Sequence, residues 1–171
     1  NNYNLNNLVI NKQWNYTLGA TWRHFFNNSN LFFVLSRNHL NNTALKFLDY
    51  ADENSQKILD YKSEEIENKS RLEYNFLKNN YSFNIGVNLE DANYTNNTTQ
   101  LFTVGDSIIT GINNSNLQFL KYGLFAQISK TYFANTLTSS FGLRIDGNSF
   151  TESTNSTNLS PRLSLAYNIN S

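Results

Sequence analysis

Apolar and polar residues alternate one for one along most of this chain. Between residues 14 and 26 the even positions read Trp14, Tyr16, Leu18, Ala20, Trp22, His24 and Phe26, against Asn15, Thr17, Gly19, Thr21, Arg23 and Phe25 at the odd ones. A period of two places unlike residues on the two faces of a strand. The pattern returns at Leu72, Tyr74 and Phe76, from Tyr81 to Leu89, from Leu120 to Ile128, from Leu137 to Ile145 and from Leu159 to Ile169. It predicts strands at residues 13–26, 31–38, 63–77, 81–91, 119–130, 136–147 and 159–169, with a further strand possible near 5–10. The segment 31–38 is ambiguous because both its faces begin apolar. Most of these strands reach the 9–11 or so residues that a tilted strand needs to cross a bilayer.

The connections implied by these strands alternate in length. Residues 27–30, 78–80 and 131–135 are short links, whereas 39–62, 92–118 and 148–158 are longer. In an up-and-down barrel that rhythm puts tight turns at one end and long loops at the other, the form of outer-membrane barrels. The expected fold class is therefore all-β, an antiparallel up-and-down transmembrane β-barrel section of about seven strands from a larger barrel. Phe25, Phe26, Phe32, Phe33, Phe76, Tyr81, Phe83, Tyr132 and Phe133 all fall beside the short links. Of these, Phe26, Phe33, Phe76, Tyr81, Tyr132 and Phe133 are the candidate aromatic girdle at a membrane interface. On the polar face, Arg23, Arg71, Glu73, Lys121, Arg144, Asp146 and Arg162 are the candidate lumen-facing residues; in a soluble sandwich they would face water. Charges of mixed sign at 65, 67, 69, 71 and 73 could pair with neighbouring strands.

Composition sharpens the picture. The 171 residues carry 13 basic and 13 acidic side chains, so no net field draws nucleic acid. Charged residues make up 15% against a usual share of about 25%. Aromatics also reach 15%, and nearly a fifth of the chain is asparagine. That mixture suits strands with polar turns and argues against disorder. With no cysteine there is no disulfide, thiolate ligand or cysteine nucleophile. The longest apolar run, 31–35, is far short of the 20 or so residues of a membrane helix. Residues 1–7 have neither the basic region nor the apolar run of a signal peptide, and both ends lie in polar sequence, as expected of a fragment.

Motifs for chemistry are few. The string Val104-Gly105-Asp106-Ser107-Ile108 looks like the nucleophile block of GDS-type lipases and esterases, but an activated serine needs a positioned base. The Asp-x-x-His element of that family is absent, since Thr21 precedes His24 and Ser36 precedes His39 at that spacing. No enzyme activity is expected. Asp49, Asp52, Glu53, Asp60, Glu64 and Glu65 could supply oxygen ligands to calcium, but not at EF-hand spacing, and a solvated loop face is the simpler reading. Asn-x-Ser/Thr triplets, as at Asn15, Asn41, Asn68 and Asn93, arise by chance in a chain this rich in those residues. No catalytic, cofactor-binding or metal residue is assigned.

Several segments resemble the barrel of TonB-dependent outer-membrane receptors in the form common in Bacteroidetes-type bacteria. They are residues 14–26 (WNYTLGATWRHFF), 35–42 (LSRNHLNN), 63–74 (SEEIENKSRLEY), 122–133 (YGLFAQISKTYF), 141–150 (FGLRIDGNSF) and 159–169 (LSPRLSLAYNI). The resemblance implies that residues 1–171 form part of a receptor-like barrel domain without its plug, in the outer membrane of a Gram-negative bacterium. It implies energised uptake of a siderophore, glycan or peptide, with loops 39–62, 92–118 and 148–158 capturing substrate. The implied partners are outer-membrane lipid, the rest of the barrel and its plug, TonB through that plug, and a surface lipoprotein; no cofactor and no nucleic acid are implied. Two alternatives stand beside it. One is a complete eight-stranded outer-membrane barrel with a structural or adhesive role. The other is a soluble lipocalin-like ligand-binding barrel, in which the apolar face points inward.

Overall fold

The computed structural model describes residues 8–48, 56–133, 136–150 and 157–169. They form seven strands: β1 (Ile10–Phe25), β2 (Ser29–Phe47), β3 (Lys57–Lys78), β4 (Tyr81–Val104), β5 (Ser107–Tyr132), β6 (Leu137–Asn148) and β7 (Thr157–Tyr167). The strands lie in one sheet in sequence order, β1 to β7, so each pairs with the strand before it. This is the all-β, antiparallel, up-and-down arrangement that the alternation predicts. Residues 5–7 of the possible extra strand lie outside the described residues, and Ile10 opens β1 itself.

Each predicted strand coincides over all or most of its length with an observed one, but four strands run much further. β2 continues to Phe47, β3 starts at Lys57, β4 continues to Val104 and β5 starts at Ser107. The predicted loops 39–62 and 92–118 are thus largely strand. The connection expected at 92–118 shrinks to Gly105 and Asp106, and the simple rhythm of short and long links fails there. The cause is compositional. Residues 92–118 are rich in Asn and Thr on both faces, so the hydrophobic period vanishes while backbone pairing continues. Gly105 has φ +62°, the left-handed geometry of a two-residue hairpin turn. The nucleophile-like string is therefore a hairpin tip. At the opposite end Asn79 (φ +50°) and Asn80 (φ +63°) make the tight turn between β3 and β4. Two consecutive positive φ angles are those of a type I′ turn, which asparagine tolerates better than most residues.

The sheet divides into two compact units. The first comprises Asn1–Thr17, Asn38–Glu67 and Ala92–Gln118; the second comprises Leu18–Arg37, Asn68–Asp91 and Phe119–Ser171. In the first, polar side chains link the strands. Thr17 donates to Asn38 (2.9 Å), Asn41 to Glu64 (3.0 Å) and Tyr94 to Glu67 (2.6 Å). His39 meets the rings of Trp14 and Tyr16 edge-on, at 4.7 and 5.5 Å between centroids.

The second unit keeps two unlike faces. Turn geometry fixes its register. Counting back from the turn at 79–80 sets Lys69 opposite Glu90 and Asn68 opposite Asp91. Counting back from the turn at 105–106 sets Lys121 opposite Glu90 and Lys130 opposite Tyr81. All four pairs touch. From β5 onward the ladder runs Lys130↔Ser139 and Phe125↔Arg144, then Ser139↔Leu165 and Gly142↔Arg162. Pro161, which lacks an N–H, sits in β7 at the sheet's edge, where a proline is tolerated.

The described residues form almost no apolar core. Among the described residues, Phe47 and Ala92 are the only buried hydrophobic ones. On the apolar face of the second unit Leu18 is 70% exposed, Leu124 57% and Leu163 75%.

Candidate functional site: the charged polar face

The polar face of the second unit is built from alternate residues of β1 to β7, and its charges are arranged in pairs across and along strands. Glu90 on β4 lies between two lysines. Lys121 on β5 approaches one carboxylate oxygen at 2.6 Å, and Lys69 on β3 the other at 3.7 Å. Arg71 pairs with Glu73 two residues along the same face of β3. Arg144 grips Asp146 with both Nε and a terminal nitrogen, at 2.6 Å each, the two-pronged geometry that favours arginine over lysine. The carboxylates here are well covered, with the Glu73 side chain 12% exposed and that of Glu90 21%.

Small and aromatic residues make room for this network. A Cβ on Gly86 would lie 2.5 Å from the Phe125 ring, so the glycine lets that ring cross β4. Phe125 then serves as a platform for Arg71, whose guanidinium lies 5.1 Å from the ring centre. A side chain on Gly123 would collide with Asn88 (2.8 Å) and with the Arg144–Asp146 pair. Further along, Arg23 lies over Phe32 at 4.6 Å and near Phe25 at 5.9 Å. Two open grooves result. One of about 300 Å³ is lined by Lys69, Arg71, Asn88, Glu90 and Arg144. One of about 290 Å³ is lined by Lys121, Asn88, Glu90, Arg144 and Asp146. The amide oxygens of Asn84 and Asn88 have no hydrogen-bond partner among the described residues. Such a surface can hold a polar solute by charge and hydrogen bonding.

The seven charged residues singled out from sequence share this face. The structure brings Arg71 to Glu73 and Arg144 to Asp146, gives Lys121 the partner Glu90, sets Arg162 opposite Gly142 and leaves Arg23 on its phenylalanines. Glu90, the residue that joins three strands, was not among them, although the alternation placed it on the polar side. Phe125 was also missed, because an aromatic among polar positions reads as an irregularity until Gly86 is found beneath it.

The aromatic candidates divide. Phe76 stacks on Phe83 at 4.5 Å, Tyr81 adjoins Phe83 at 6.2 Å, and Phe26 meets His24 at 4.6 Å, all on the apolar face. Phe33 and Tyr132 belong to the same face by register. Phe133 occupies the turn after β5 with φ +54° and is largely exposed. Phe25 and Phe32, which the sequence groups with this rim, hold Arg23 on the polar face instead.

Of the acidic residues weighed as a calcium site, Asp49, Asp52 and Glu53 lie outside the described residues. Asp60 pairs with Lys57 at 2.9 Å, and Glu64 with Lys62 at 3.2 Å. Among the described residues no three His, Cys, Asp or Glu side chains come together as metal ligands would. Among the described residues no helix is long and apolar enough to cross a membrane.

No family model matches the chain, and no curated protein matches it. Among solved structures, its fold is similar to part of the copper transporter OprC. The TM-score is 0.59 at 14% sequence identity, over 88% of this chain and 26% of that one. The chain thus spans about a quarter of that structure's length, and the likeness is one of fold: a run of antiparallel strands such as makes up a section of a transporter's β-barrel.

Proposed function

We propose that the chain is a section of the wall of an outer-membrane transporter barrel, with its apolar face toward lipid and its charged face toward the lumen. The observation that carries this is an exposed apolar band bounded by polar rows on its own face. One boundary is the row Arg37, Asn68 and Asp91, linked at 2.9 and 3.5 Å. The other is Tyr81 with Lys130, joined at 3.0 Å. Between Tyr81 and Asp91, that face of β4 presents Phe83, Ile85, Val87 and Leu89. Ten residues at about 3.3 Å each, tilted by about 45°, rise roughly 23 Å, close to the apolar band of about 25 Å in outer-membrane barrels.

Crowding supports the same orientation. The carboxylates of the polar face are more covered than leucines of the apolar face, as expected where a sheet curls toward its polar side. A lipocalin-like barrel needs the opposite, with the apolar rows packed into a dry interior. The edges at β1 and β7 fit a wall continued by further strands.

On this reading the chain serves nutrient uptake through a TonB-dependent barrel, with plug, TonB and a surface lipoprotein as partners. The Bacteroidetes form of that family is supported by the strand motifs at 122–133, 141–150 and 159–169 alone. Siderophores, glycans and peptides are the substrate classes. Copper is not carried over from the structural neighbour.

The chain has no cysteine, so single cysteines can be spin-labelled along β5 in lipid vesicles. Labels at Leu124, Ala126 and Ile128 should collide with dissolved oxygen, and labels at Gln127 and Ser129 with a water-soluble nickel chelate. Equal access at neighbouring positions, or the reverse assignment, would overturn the proposal.

A further inference from the structure

One row on the apolar face is not apolar. Lys78, the last residue of β3, stands opposite Tyr81 across the turn at 79–80, and Tyr81 stands opposite Lys130 on β5. Lys130 stands opposite Ser139 on β6. Four neighbouring strands thus line up two ammonium groups, a phenol and a hydroxyl. Lys130 Nζ donates to Tyr81 Oη at 3.0 Å. It also lies 4.5 Å from the Tyr81 ring centre and 5.0 Å from that of Tyr132.

Among the described residues these cations have no counter-charge near them on their own side, the carboxylate of Asp91 lying at the far boundary of the face. On that face β3 carries no carboxylate from Asn68 to Lys78, and β4 none between Tyr81 and Leu89. Neither does β5 from Leu120 to Tyr132, nor β6 from Leu137 to Gly147. Among the described residues no carboxylate contacts Lys78 or Lys130. The next row along the face is Phe76, Phe83, Ile128 and Phe141, a hydrophobic shelf beside the charged row.

We infer that the row Lys78, Tyr81, Lys130 and Ser139 is a binding site for the phosphate headgroup of an anionic phospholipid, whose acyl chains lie on the Phe76–Phe83 shelf. This rests on the membrane-wall reading and adds a lipid preference to it. Two positive charges with an adjacent phenol and hydroxyl suit a phosphodiester, and cations near a bilayer surface attract anionic lipid. A zwitterionic lipid would bring its own cation against both lysines.

The test uses the full chain with Trp14 and Trp22 replaced by Phe and Ile128→Trp as a reporter one row above Lys130. It is placed in vesicles of equal phosphatidylglycerol and phosphatidylcholine, with bromine on the acyl chains of one lipid or the other. Brominated phosphatidylglycerol should quench more, with an apparent enrichment of about fivefold. The enrichment should disappear in Lys78→Gln/Lys130→Gln and persist in Lys130→Arg. Equal quenching by the two lipids overturns the headgroup site but leaves the membrane reading intact. No quenching by either overturns the membrane reading itself. If inorganic phosphate abolishes the preference where chloride at matched ionic strength does not, the row takes free phosphate and the lipid assignment falls.

Discussion

Glu90 holds Lys121 at 2.6 Å on one side and Lys69 at 3.7 Å on the other, so a single carboxylate ties β3, β4 and β5 together. Without it, two ammonium groups would face each other across one strand. Glu90→Gln should destabilise the chain by about 1 kcal/mol, since both lysines remain partly solvated. Lys121→Glu should cost more, because it replaces an attraction by a repulsion. Urea titration of the chain in lipid, at low and high salt, checks both. The Glu90→Gln effect should shrink as salt rises.

Gly86 and Phe125 make a second relationship that one substitution can probe. Any side chain at 86 meets the ring that supports Arg71. Gly86→Val should cost about 1–3 kcal/mol through overpacking. Phe125→Ala combined with Gly86→Val should recover part of that loss. A double-mutant cycle with no coupling would show that the ring and the glycine are independent.

The turn at 79–80 depends on two residues held at positive φ. Asn80→Val should cost about 1–2 kcal/mol, because a β-branched side chain clashes in the left-handed region. Asn80→Gly should be close to neutral. Refolding into lipid followed by gel mobility would rank the three chains.

The two faces should respond in opposite ways to a charge. Leu124→Arg places a cation in the middle of the apolar band and should cost about 2–4 kcal/mol in a bilayer. Gln127→Arg, three residues on and on the opposite face, should fold nearly as the parent does. Equal tolerance at both positions would remove the basis for the lipid-facing assignment.

How far the chain is legible from sequence follows from where its two faces differ. Between Tyr81 and Leu89 they differ sharply, and the alternation marks both the strand and its sides. Beyond Asp91 they become alike, and the same strand, still hydrogen-bonded to Val104, has the sequence pattern of a loop. A ladder of backbone bonds leaves no trace in side-chain hydrophobicity. Gly105-Asp106 is a dipeptide suited to a tight turn, but it lies inside a string that resembles a catalytic motif and within a stretch that lacks the alternation flanking a hairpin.

The order of residues alone determined the fold class, the strand stretches whose two faces differ and which side chains share a face there, because a period of two is a local property of extended chain. Tertiary structure decided which charges meet. Glu90 reaches Lys69 and Lys121, and Lys130 reaches Tyr81, only through the register set by two turns that lie many residues away. Pairing across strands is non-local: a slip of one residue would leave every strand's composition intact and part every one of these contacts.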